Sequence, residues 1–75
     1  MEYDKDKNRQ AGEAAILRAV SEAARRYGVK TGNVVVRETK YDDYGKEWYV
    51  AVEVNGRLTV ASVNLISGVV EFSDI

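Results

Sequence analysis

The chain contains no cysteine and no histidine. The first absence rules out a disulfide framework and thiolate chemistry. Together the two remove the ligands of an ordinary structural zinc site. The missing histidine also takes away the commonest general acid–base group near neutral pH. The serines Ser21, Ser62, Ser67 and Ser73 therefore have no imidazole to activate them. The glycines follow no phosphate-cradling spacing. The reading is a non-enzymatic domain with no cofactor, no metal and no small-molecule ligand.

A basic excess is also lacking. Eleven Lys and Arg stand against twelve Asp and Glu, for a formal net charge of -1. Such a balance gives no general attraction to nucleic acid or to an anionic membrane surface. No apolar run approaches the roughly 20 residues of a membrane helix. The polar opening stretch, residues 1–10, carries no apolar core of a secretory leader. These two absences predict a cytoplasmic chain or an excised domain.

What is present suits one small globular unit. With 75 residues there is material for a single core. A domain of this size buries only about 60% of its unfolded surface, which leaves little room for a deep cavity. Residues 1–7 alternate in charge and offer little to bury, so they are expected to fray as a disordered tail ahead of a domain at 8–75. Asp6 or Asn8 is the candidate cap of the helix that follows.

From about Asn8 to Tyr27 apolar residues recur at helical spacing, and Ile16, Leu17, Val20, Ala24 and Tyr27 form the expected buried stripe. Five alanines, Ala11, Ala14, Ala15, Ala19 and Ala23, raise helix propensity and permit close approach to a sheet. Arg25 and Arg26 suit the negative end of the helix dipole, and Gly28 suits a left-handed C′ position closed by Val29.

The remainder reads as strands. Val34 to Tyr41 opens with three β-branched residues, and Asp42-Asp43-Tyr44-Gly45 has turn composition. Glu47 to Asn55 alternates, and Asn55-Gly56 is the strongest short hairpin signal. Arg57 to Ile66 follows, then a Ser67-Gly68 turn and a last strand from Val69 to Ser73. A two-residue Asn55-Gly56 loop pairs Val54 with Arg57, Val52 with Thr59, Val50 with Ala61 and Trp48 with Val63. A two-residue Ser67-Gly68 loop pairs Val63 with Phe72 and Leu65 with Val70. Both registers put Trp48, Val50, Val52, Val63, Leu65, Val70 and Phe72 on one face. The predicted fold is α+β: one N-terminal amphipathic helix on a four-stranded antiparallel β-meander of order 1-2-3-4.

The run Trp48-Tyr49-Val50-Ala51-Val52-Glu53-Val54, followed by Val63-Asn64-Leu65-Ile66-Ser67-Gly68-Val69-Val70, resembles the PepSY domain. That family shows an aromatic and alternating valines, then a Val-Asp-x-x-Thr-Gly-x-Val turn. Here Asn64 stands in place of the Asp and Ser67 in place of the Thr. The likeness covers about Ala11 to Phe72. It implies an α+β module appended to peptidases or cell-envelope proteins, acting by binding or inhibition, with no catalytic residues. Many members are extracytoplasmic, a setting for which this stretch shows no leader.

Four features carry functional expectations. Asp42 and Asp43, with Glu38 or Glu47, offer oxygens to a hard cation but lack the ligand ladder of a calcium loop; a solvated turn is the simpler reading. Tyr41, Tyr44, Trp48 and Tyr49 cluster at one hairpin and have hot-spot chemistry. Arg18, Arg25, Arg26 and Lys30 make a basic stripe, diluted by Glu13 and Glu22 and without an aromatic stacking platform, which argues against a nucleic-acid partner. Finally, the second face of the sheet, with Tyr49, Ala51, Glu53, Leu58, Val60, Ser62, Ile66 and Val69, is more apolar than solvent alone requires. The expected function is therefore a protein-binding or self-associating homodimeric module that uses this open face, with Tyr44, Tyr49, Leu58 and Val60 as partner-binding residues. The alternative is a PepSY-like inhibitory or regulatory module acting on a peptidase.

Overall fold

The computed structural model describes residues 5–44 and 46–74. One helix, α1 (Lys5–Tyr27), precedes a short 3-10 turn at Thr31–Asn33 and four strands: β1 (Val34–Asp42), β2 (Glu47–Val54), β3 (Arg57–Val63) and β4 (Val70–Asp74). The strands form one antiparallel sheet of order β1-β2-β3-β4 with the helix on one face, the α+β meander expected from the pattern.

The helix begins at Lys5, so Asp6 and Asn8, the candidate caps, lie inside it; the tail expected over residues 1–7 falls outside the described residues for 1–4. The far end closes as anticipated. Gly28 takes φ +65, and the Val29 amide donates to the Ala24 carbonyl at 2.9 Å, a Schellman-type closure.

The buried helical stripe differs from the expected one. Gly12, Ala15, Ala19 and Ala23 face the sheet, Ile16, Val20 and Tyr27 pack beside them, and Leu17 is 69% exposed on the far side. Sterics decide this. At the closest approach only small side chains fit, and a Cβ on Gly12 would lie 3.1 Å from the Trp48 ring. The larger residues flank that line, and Leu17, about 100° beyond Ile16 on the helical wheel, turns to solvent.

The core is built of valine and alanine: Ala15, Ala19, Ala23, Ala24, Val34, Val50, Val52, Val54, Ala61 and Val63. Each fully buried valine contributes roughly 1.5–3 kcal/mol. Trp48 and Phe72 pack against this core from the same side of the sheet, as the side-chain parity of the two hairpins requires.

The β2–β3 register is as expected, with Val54 opposite Arg57 and Trp48 opposite Val63. The β3–β4 register is not. Val63 faces Val70 and Ala61 faces Phe72, a displacement of two residues. The connection is the six-residue segment Asn64–Val69 rather than a Ser67-Gly68 turn. An even displacement preserves facing, so Phe72 stays inward, while Leu65 leaves the strand and becomes 37% exposed. The cause is Asn64: its side-chain Oδ1 accepts the amides of Ile66 at 2.9 Å and Ser67 at 3.1 Å, bending the chain away from the ladder.

β1 carries a bulge between Val36 and Glu38. The extra residue, Arg37, lets inward positions (Val34, Val36, Thr39, Tyr41) stay opposite Val54, Val52, Val50 and Trp48 on both sides of the irregularity.

Candidate functional site: the open face of the sheet

The helix covers one face of the sheet and, among the described residues, nothing covers the other. The registers arrange that outer face in rows across the strands. Val35, Glu53 and Leu58 form one row; Glu38, Ala51, Val60 and Ser73 the next; Lys40, Tyr49, Ser62 and Glu71 the third; Asp42 and Glu47 the last. Ala51 and Val60 are thus direct cross-strand neighbours at the centre, with Tyr49 and Leu58 on opposite sides of them.

Of the four residues expected to bind a partner, the fold brings Tyr49, Leu58 and Val60 onto this one surface. Leu58 is 40% exposed, and Tyr49 and Val60 are half-buried by their neighbours. Tyr44 stands apart at the β1–β2 tip, wholly exposed. Ile66 and Val69, assigned to the outer face from the alternation, lie instead in the β3–β4 loop at 89% and 52% exposure. This follows from the same Asn64 bend.

Charged groups frame the apolar centre. Arg37 donates through Nε and Nη2 to Glu53 Oε1 at 3.2 and 3.0 Å, bridging β1 to β2. Tyr49 Oη donates to Asp42 Oδ2 at 3.4 Å, which orients the phenol toward the β1–β2 end. The Tyr49 phenol is held above its ordinary pKa of 10.0, first by desolvation, then by the carboxylates of Asp42 and Glu47 and by the hydrogen bond to Asp42. Lys40 and Glu71 end the same row at opposite edges of the sheet, both exposed.

The acidic turn has a local explanation. Asp42 Oδ1 accepts the Tyr44 amide at 3.0 Å, and Asp43 pairs with Lys46 at 3.3 Å. Among the described residues no group of three or more acidic side chains gathers closely enough to hold a metal ion. The basic helix stripe is partly engaged within the molecule as well. Arg18 donates to the Gly68 carbonyl at 3.0 and 2.8 Å, and the Arg26 guanidinium lies 5.3 Å from the centroid of the Phe72 ring.

A second apolar surface, which the sequence pattern conceals, surrounds the β3–β4 loop. Leu17, expected in the core from helical spacing, and Leu65, expected there from strand alternation, flank an open depression of about 440 Å³ together with Ala14, Ser21 and Gly68. Its nearest cation, Arg18, is taken up by Gly68. Ser21 and Glu22 complete its lining, and its wide opening to solvent suits a small ligand poorly.

No family model, no curated protein and no solved structure matches this chain. No helix among the described residues is long and apolar enough to cross a membrane.

Proposed function

We propose that this is a non-enzymatic protein-interaction module whose working surface is the open sheet face around Tyr49, Ala51, Leu58 and Val60. The observation that carries the reading is the central Ala51–Val60 pair, bracketed by Tyr49 and Leu58 and facing away from the helix. Apolar area grouped on a rigid sheet and rimmed by charge suits the contact surface of another protein. Tyrosine adds a large, stiff contact with a polar tip.

The test is a Leu58→Lys, Val60→Lys double variant. It should raise the solubility limit and shorten retention on a hydrophobic matrix, while circular dichroism and the thermal midpoint stay close to those of the parent, as outward substitutions usually allow. If solubility and retention are both unmoved, this face is ordinary surface and the reading fails. The alternative, a PepSY-like regulatory module acting on a peptidase, rests on the motif order quoted above, and no contact in the fold favours it over the first.

A further inference from the structure

We infer that the occupant of the open face is a second copy of this chain, related by a two-fold axis that runs along the strands between β2 and β3. The inference rests on the interaction reading just given and adds the partner and its orientation. Three observations carry it.

The first is the charge layout of one row. Lys40 on β1 and Glu71 on β4 lie at the same height, on the two edges of the sheet, with Tyr49 and Ser62 between them. Three strand spacings, about 14 Å, keep them from pairing within one chain. Neither takes part in the ion pairs Arg37–Glu53 and Lys46–Asp43. Rotation about an axis parallel to the strands lays β1 of one copy over β4 of the other without changing height. Lys40 then meets Glu71 of the second copy, and symmetry forms the contact twice.

The second is the centre. The same rotation lays β2 over β3, so Ala51 meets Val60 and Tyr49 meets Ser62. In each case a small side chain sits against a larger one, Ala51 against Val60 and Ser62 against the Tyr49 ring, across the roughly 10 Å that separates packed sheets.

The third is the failure of the perpendicular choice. An axis across the strands stacks β4 on β4. That strand reads Val70-Glu71-Phe72-Ser73-Asp74 and holds no cation, so Glu71 would face only acidic or neutral neighbours.

The face is small. Four strands about 4.8 Å apart and three rows of outward side chains give a flat area of roughly 400 Å², half of what a standard interface uses per partner. The association is accordingly weak and reversible, visible only across a range of concentrations.

The experiment is sedimentation equilibrium of the purified chain and of K40E, E71K, the K40E/E71K double exchange and V60K. The parent should pass from monomer to dimer as concentration rises. K40E and E71K should each raise the dissociation constant about tenfold, because every like-charge contact occurs twice. The double exchange should return it to within about threefold of the parent. V60K should leave the chain monomeric. If V60K dissociates the dimer but the two charge reversals do nothing, or the double exchange fails to restore it, the orientation is wrong while the interaction face stands. If the parent is monomeric at every concentration, the second copy is not the occupant; the interaction reading is then decided by the solubility and retention of the lysine double variant.

Discussion

Two connections join β3 to its neighbours, and they are held by different means. The β2–β3 tip consists of Asn55 and Gly56 with φ of +52 and +78, a two-residue turn whose twist matches that of the strands it joins. Nothing lies within 4 Å of a Cβ placed on Gly56. The β3–β4 loop is instead a small network. Asn64 gathers two amides with its side chain, its carbonyl accepts the Gly68 amide at 2.7 Å, Ser67 Oγ accepts the Val69 amide at 3.2 Å, and Arg18 reaches across from the helix to the Gly68 carbonyl. One turn is specified by the backbone preferences of its own two residues. The other is specified by side chains, one of them fifty positions away in the sequence.

The largest expected contrast follows from the two glycines. Gly68→Ala should cost about 1.5 kcal/mol in chemical denaturation, and Gly56→Ala about 1 kcal/mol. Both place a Cβ at positive φ, but at Gly68 that Cβ would lie 2.9 Å from Arg18 Nη2 and displace the guanidinium from its carbonyl. If the two cost the same, the loop is not coupled to the helix.

Asn64→Ala should cost about 1.5 kcal/mol, since two amides lose their acceptor, while Asn64→Asp keeps an acceptor and should recover most of that loss. Should alanine prove neutral, the bend has some other cause.

Arg18→Met should cost only about 0.5 kcal/mol on its own, the group being exposed. Its value lies in the cycle: in that background Gly68→Ala should fall to about the cost of Gly56→Ala.

The β1–β2 end provides the mildest contrast, and one that depends on pH. Tyr49 has its folded pKa raised above the ordinary value. Its protonated form is the one favoured by folding, so this contribution is fully present below pH about 10 and is lost as pH climbs through the raised folded value. Tyr49→Phe, compared with the parent by denaturant midpoint against pH, should flatten the alkaline limb and leave neutral pH little changed. An identical alkaline limb in both proteins would show that the phenol proton is not linked to folding.

The difference between the two turns also explains what could be read from residue order. Asn55-Gly56 announces itself because both residues tolerate positive φ and the flanks alternate, and the register from Val54–Arg57 to Trp48–Val63 follows. Asn64 sits inside an apolar run, Val63 to Ile66, where alternation favours a continuing strand; only its competition for local amides ends that strand, and periodicity does not register such competition. Leu17 illustrates a second blind spot. Apolar spacing marks a stripe but not how near the helix comes, and proximity to Trp48 selects Gly12 and the alanines. The bulge at Arg37 is a third, because it needs the partner strand to be seen. On the outer face, Tyr49, Leu58 and Val60 share a surface because the Asn55-Gly56 turn fixes the register of β2 and β3, and Ile66 and Val69 leave it with the loop.

The irregularity at Arg37 bears on how far assembly can go. An exposed border strand with every amide in step invites further strands to add, and such growth has no natural stopping point. Here one border is knocked out of step by its extra residue, and the other runs for only five residues carrying two acids. Lateral growth into ribbons is thus discouraged at both margins. Both borders of the sheet are shaped against fibre growth.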